Sequence, residues 1–478
     1  MRNWLLRGAI VVAVFASAWI VTILVWRARN QMPGVAEILV FLVALPTAIL
    51  AAIWAANRTT SARQDTVAST SPTGSSNGST QAPASANDTA ATLAIVGSAL
   101  RVAHGSTTTE LKEAVEARTA RADLDPELTD TNGFPVMSFR VSELDEDQQK
   151  ETLDDWQASH GLPPIDWQPE HLRALQLGTE VVTELAGHAT AHPLLADYLE
   201  AAPAKRGTIA LPSLKLVALF PTDWEKPQRD AAGHWLLHQV EAQGWPADKL
   251  VLSIAQNDTT LLAQLDQLAL TLHRQQQPYL CMVIACGSNI GEQTVHQWES
   301  TGTLFNANNA AGRIPGEGAA GMLLADSART AQPYDIHAIL HRIAAQRHDH
   351  PTRNRSRIHA DLLARLTGDA LKSAGVNADQ VELVAADTGH LPNQLAELME
   401  TGYRNFPDLD LQTQCQQAGI VCGEIGAVAS LVGLCLAADA ACEGKHAVFI
   451  SNNDDHERAV AVITPLTVGD SADMKIAA

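Results

Sequence analysis

The sequence predicts an α/β protein of layered sheets and helices, held at a membrane by an N-terminal helical hairpin. From residue 92 onward, short β-branched runs alternate with longer stretches of helical periodicity, the pattern of sheets covered by helices. Residues 8–26 and 38–56 contain no charged side chain, and each is about 28 Å long as a helix, enough to cross a bilayer core. Between these regions, residues 58–90 are mainly Ser, Thr, Ala, Gly, Pro and Asn with no aromatic residue, a composition too poor in apolar surface to order itself.

The first 57 residues therefore read as a transmembrane hairpin. A cleaved signal peptide is the rival for its first span. That apolar stretch is too long for one, and no small-residue cleavage site precedes Arg27 and Arg29. Arg2, Arg7, Arg58 and Arg63 flank the hairpin outside, while the short loop holds Arg27 and Arg29 against Glu37. The positive-inside rule then puts both ends in the cytoplasm, and a bacterial inner membrane is the expected location. Trp4, Trp26 and Trp54 stand where interfacial aromatics anchor helices. The linker 58–90 acts as a flexible tether with a reach of roughly 30 Å.

The 478 residues, 46% of them hydrophobic, suffice for a large core. A formal net charge of -20 argues against nucleic acid, whose phosphates require clustered Lys and Arg, and favours a cationic protein surface as partner. All six cysteines, from Cys281 to Cys442, lie in apolar runs, so they read as reduced core thiols. Cys281 and Cys286 have no second pair at zinc-ribbon spacing, and no metal is expected there.

Strands are expected at 92–96, 214–220, 249–254, 279–285, 381–385 and 446–451. Asp223 before Trp235, Leu236 and Val240 at helical spacing predicts a capped helix over 225–243, closed by Gly244. The nearly all-apolar stretch 427–441 predicts a buried helix. Glu143, Asp145, Glu146, Asp147, Asp154 and Asp155 cluster before Trp156 in an acidic insertion. They read as a solvated helix face, against the alternative of an acidic docking patch. His337 and His341 are four apart on an expected helix, with His348, His350 and His359 near. Without an intervening glutamate in the H-E-x-x-H manner they read as a polar surface rather than a metal site.

The most informative segment is 305–326, FNANNAAGRIPGEGAAGMLLAD, in which Gly312, Gly316, Gly318 and Gly321 punctuate a turn into an apolar strand. It resembles the F-D…G-F…G-E-G-A block of β-ketoacyl synthases in the thiolase-like superfamily, with Phe305, Gly312, Gly316, Glu317, Gly318 and Ala319 at matching positions. Three further stretches occur in the family's order. Residues 283–287, VIACG, resemble the preceding strand; 384–393, VAADTGHLPN, the histidine strand-loop; and 421–434, VCGEIGAVASLVGL, the N-x-G-H helix.

The resemblance implies an α-β-α-β-α layered fold of two similar halves, at 91–330 and 357–470, in a family whose members are commonly homodimers. It also implies a cysteine nucleophile near Leu261 and two catalytic histidines. No cysteine precedes Cys281, His390 is displaced from the first histidine position near Ala386 or Asp387, and Gly423 is followed by Glu424 where the second histidine belongs. A thiolate at a helix tip and imidazoles for the oxyanion are what the condensation requires.

The expected function is thus that of a degenerate, non-catalytic thiolase-like protein acting as a binding or adaptor module, with a protein partner and no cofactor. Proteins of this degenerate kind occur beside genes for type VI secretion, which the resemblance makes the expected context. The competing expectation is an acyltransferase or hydrolase whose pocket is rebuilt from Asp387, His390, Cys422 and Glu424. The bland alternative has Glu424 capping its helix and Cys422 packing. Gly312, Gly316, Glu317, Gly318 and Gly423 are expected to be structural. No phosphate loop, dinucleotide fingerprint or Gly-x-Ser-x-Gly elbow is present.

Overall fold

The computed structural model describes residues 91–255, 260–275, 279–326, 334, 338–347 and 360–466. The expected spans 8–26 and 38–56, the linker 58–90, residues 256–259, His337 and the stretch 348–359 with His348, His350 and His359 lie outside the described residues. No helix among the described residues is long and apolar enough to cross a membrane.

The chain enters on β1 (Leu93–Val102), α1 (Thr108–Glu116) and the small hairpin β2 (Asp123–Thr129) and β3 (Pro135–Ser138). The acidic insertion follows as α2 (Glu146–Ser159), α3 (Pro169–Thr190), α4 (Leu194–Glu200) and α5 (Pro203–Arg206). Next come β4 (Ser213–Leu219), α6 (Lys226–Ala242), β5 (Leu250–Ile254), α7 (Leu261–Gln275), β6 (Tyr279–Ser288), α8 (Glu292–Ser300) and β7 (Glu317–Asp326). The remainder is β8 (Ala338–Leu340), β9 (Ala344–Arg347), α9 (Asp361–Ala374), β10 (Val381–Ala386), α10 (Pro392–Asn405), β11 (Cys415–Gln417), α11 (Ala418–Cys422), α12 (Ala427–Cys442), β12 (His446–Ser451) and β13 (Glu457–Pro465).

One strand order occurs twice. The first half runs β5-β4-β6-β7-β1 and the second β11-β10-β12-β13-β8, so each places its third, second, fourth, fifth and first main strands side by side. In both halves the fifth strand, β7 or β13, is antiparallel to its neighbours while the second pairs parallel with the third and fourth. The halves meet where β1 pairs antiparallel with β8, Ala94 opposite Ile339. In that repeated order the strand at Ala338–Leu340 takes the place that β1 has in the first half.

Strand alternation builds the layers, because successive side chains leave opposite faces of a sheet. In β6, Cys281, Val283 and Ala285 face one core, while Leu280, Met282, Ile284 and Cys286 face another. In β12, Ala447 and Phe449 face that first core, and Val448 and Ile450 face a third. The shared core holds α7 and α12 between the two half-sheets. Helices α3 and α6 cover the outer face of the first half, and α9 and α10 that of the second. The result is α-β-α-β-α. Because α12 meets both half-sheets, it is apolar all round, which is why 427–441 carries no polar stripe.

Local details depart from expectation in places. Helix α6 is capped by Glu225, whose side chain and that of Gln228 form a reciprocal box, so Asp223 is not the cap. His341 follows β8 on extended chain rather than on a helix; its N–H donates to the Val462 carbonyl at 3.0 Å. The acidic cluster serves its own helix: Asp145 accepts from the Gln148 N–H at 2.9 Å, and Glu146 and Asp147 occupy the first turn, where the helix dipole favours anions. Of the cysteines, Cys442 is exposed and Cys415 half-buried, a correction to six core thiols.

Candidate functional site

The four candidate residues gather where the C-terminal end of β10 meets α11, α12 and the 305–316 loop. Asp387 follows β10 and is fully buried. Its carboxylate accepts from Ser430 Oγ at 2.8 Å, Ser451 Oγ at 2.6 Å, and the backbone N–H groups of Asn452 at 2.9 Å and Asn453 at 3.1 Å. Burial pushes its carboxyl above the usual range, against the pull of those four donors. Asp387 thus pins the end of β12 and the first turns of α12 to β10.

His390 is held on another surface. Its Nε2 lies 2.7 Å from the Gly312 carbonyl, and its ring meets Phe305 edge-on at 5.9 Å. Cys422 ends α11, is completely buried, and burial pushes its thiol up to about 12. A thiol that stays protonated at neutral pH is a poor nucleophile. No hydrogen bond joins Asp387, His390 and Cys422 to one another among the described residues. Glu424 is half-buried, and its backbone is stitched into the loop. Its N–H donates to the Ile314 carbonyl at 3.0 Å, and its carbonyl accepts from Asn289 Nδ2. Helix α12 takes its N-cap from Gly426, not from Glu424.

The motif glycines explain a close approach of backbone segments here. A Cβ on Gly316 would stand 2.1 Å from the Cys422 carbonyl oxygen. Gly423 has φ 74°, in the left-handed region, and a Cβ there would approach Phe139 to 2.8 Å. Two backbone segments therefore press together, Pro315 bridging to Glu424. Gly312 turns the loop so that its carbonyl meets His390, and Gly318 lies in β7 against Arg101.

Glu317 is the largest consequence of the motif. Fully buried at the start of β7, it receives Arg173 Nε at 2.7 Å and Nη2 at 2.5 Å, Ser288 Oγ at 2.9 Å and the Val141 N–H at 2.7 Å. Arg173 also donates to Glu146 at 2.9 Å and to the Val141 carbonyl at 2.9 Å. The second half carries a counterpart: Arg458 Nε reaches both oxygens of Glu397 at 3.0 Å, with both side chains buried. Neither pair was foreseen. The available signal was an arginine inside the apolar runs of α3 and β13, since a buried guanidinium requires a carboxylate.

The expected nucleophile position is also closed. Leu261 opens α7 and is 4% exposed. Thr260 precedes it, its Oγ accepting from the Ala263 N–H at 3.3 Å and donating to Glu457 at 2.7 Å. Cys281 and Cys286 face opposite sides of β6, so they cannot share a metal. Among the described residues no group of three or more His, Cys, Asp or Glu side chains surrounds a metal position. A surface cleft does occur around Asp379, Val381, Phe406 and Asp408, but Val381 is at the opposite end of β10 from Asp387. The strand separates them by roughly 20 Å.

No family model matches the chain, and no curated protein matches it. Solved structures do. The ketosynthase from module 6 of the bacillaene synthase of Bacillus subtilis 168 is 14% identical, with 79% of this chain and 72% of that chain covered at a TM-score of 0.53. A type II polyketide ketosynthase in complex with its acyl-carrier protein, bound to the hexaketide, is 12% identical over 78% of this chain and 99% of that one, TM-score 0.53. The ishigamide ketosynthase/chain length factor is 16% identical over 79% and 100%, TM-score 0.50. With the doubled strand order and five layers, these likenesses identify the fold of the described chain as the thiolase-like, β-ketoacyl synthase-like fold.

Proposed function

We propose that the chain is a non-catalytic binding or adaptor module on a ketosynthase-like scaffold, tethered to a membrane by its N-terminal hairpin and working through a protein partner. The observation that carries this reading is the state of the candidate reactive groups. Cys422 is sealed and protonated, and Asp387 is committed to four donors inside the core. An acyl transfer requires a thiolate or other nucleophile that substrate reaches, with donors aimed at the oxyanion. The anchor and tether in the sequence support a fixed assembly role, and the resemblance to degenerate synthase-like proteins near type VI systems supports secretion as its setting.

The ketosynthase-like fold itself favours the rival reading, an acyltransferase or hydrolase using Asp387, Cys422 and Glu424. Purified protein incubated with acyl-carrier and coenzyme A thioesters separates the two. The adaptor reading expects no acyl transfer or hydrolysis above the buffer rate. Turnover that disappears in Cys422→Ala or Glu424→Gln would replace it with the enzyme reading. Affinity capture from the native membrane is expected to return one stoichiometric protein partner.

A further inference from the structure

Arg313 differs from other sheltered arginines of the fold; even Arg206, which also lies over a ring, donates to the Ala201 carbonyl at 3.2 Å. Arg101 meets Glu180 and Glu184, Arg140 meets Asp125 and Glu127, Arg173 meets Glu317, Arg342 meets Asp266, and Arg458 meets Glu397. The half-buried Arg313 meets no carboxylate and makes no side-chain hydrogen bond among the described residues, and its Nε is shielded from solvent. Its guanidinium lies over the Trp298 indole, Cζ 5.5 Å from the ring centroid. An indole face attracts the charge but accepts none of the five N–H groups in the usual way.

Two carboxylates close in sequence to this pair have partners of their own. Glu299, beside Trp298 on α8, gives one oxygen to the Thr131 N–H at 2.8 Å and the other to its hydroxyl at 2.7 Å. Glu317, four residues beyond Arg313, is taken by Arg173, Ser288 and Val141. Trp298 is itself fixed, packed among Leu128, Val136, Ile290, Val295 and Leu304. The cation is therefore positioned by a fixed ring and has no anion among the described residues, in a chain whose formal net charge is -20. A shielded donor with no acceptor is costly, and the cost is removed when an acceptor arrives. Residues 306–308, 310 and 311 of the same loop are exposed, so the approach is from solvent.

We propose that Arg313, held over Trp298, is a binding site for an oxyanion, the carboxylate or phosphate group of a ligand outside the chain. The planar fork offers two parallel N–H groups, which match the two oxygens of either oxyanion. This site is independent of the adaptor reading, since a substrate, a small effector or a partner could each carry the group.

The test is the thermal midpoint of full-length protein in detergent, titrated with sodium phosphate and separately with sodium acetate, at ionic strength fixed by sodium chloride. A ligand that binds only the folded state raises the midpoint with concentration. Wild type is expected to rise with at least one of the two anions, the stronger response identifying phosphate or carboxylate. Arg313→Gln is expected to weaken the apparent affinity by roughly tenfold or more, the loss of one charge-assisted pair. Arg313→Lys keeps the charge and loses the fork, so it is expected to bind more weakly than wild type; it also serves if Arg313→Gln fails to fold. Equal responses in wild type and both variants, or no response in wild type to either anion, overturn the proposal.

Discussion

Replacing Glu317 with alanine strands the Arg173 guanidinium, whose side chain is 4% exposed, with Glu146 as its remaining carboxylate. The same change removes the acceptor for Ser288 Oγ and for the Val141 N–H. Breaking a buried pair from one side costs about 3–5 kcal/mol. Each orphaned donor adds about 1–3 kcal/mol. Glu146 offsets part of this, so we expect Glu317→Ala to lose about 4–6 kcal/mol, a large fraction of a typical total of about 5–15 kcal/mol. Replacing both partners by apolar residues, Arg173→Met with Glu317→Leu, leaves no stranded charge and is expected to cost less than the two single changes together, by about 2 kcal/mol or more. Urea unfolding followed by circular dichroism on wild type, Glu317→Ala, Arg173→Met, Glu317→Leu and the double variant measures both the loss and the coupling. A loss under about 1 kcal/mol for Glu317→Ala, or single losses that simply add, refutes the argument that the motif glutamate is a buried ion-pair partner.

Other expectations follow from the same geometry. Gly316→Ala forces a methyl into the Cys422 carbonyl, and with backbone on both sides we expect a loss of about 2 kcal/mol or more by denaturant unfolding; a neutral result would mean the two segments part easily. Burial pushes Cys281, Cys286, Cys422 and Cys435 up to about 12, so iodoacetamide at about pH 8 followed by peptide mass spectrometry should find them unmodified in the folded protein. Cys442 should react first, and rapid native labelling of Cys422 contradicts its sealing. Asp387 holds its proton more tightly folded than unfolded, so its contribution favours folding at low pH. That contribution is lost as pH rises from the ordinary 3.8 through the raised value. Asp387→Asn should remove this part of the pH slope of stability, and parallel slopes for the two proteins would show that the carboxyl does not titrate with folding.

The solved likenesses are below a fifth identical in sequence, yet the segments that named the resemblance are the ones that build the shared core. The run 283–287 became β6, 317–326 became β7, and 427–441 became α12 between the half-sheets. The hairpin β2–β3 and the short β8 and β9 escaped notice, because their lengths and mixed polarity give no periodic signal. His341 illustrates the same limit: two histidines four apart imitate a helix face, but pairing of β8 with β13 held the chain extended.

By itself the sequence determined the alternation of strand and helix, the apolar character of the central helix, the glycines where segments must touch, and the absence of any cysteine before Cys281. These are local properties, set by periodicity, side-chain volume and residue identity. Only the tertiary structure decided that Asp387 is a buried clamp, that Cys422 is sealed by the Gly316 segment, and that Glu317 and Arg173, 144 positions apart, share a charge. Burial and hydrogen-bond partners are long-range quantities. The same carboxylate or thiol is reactive or inert according to which distant segments close over it.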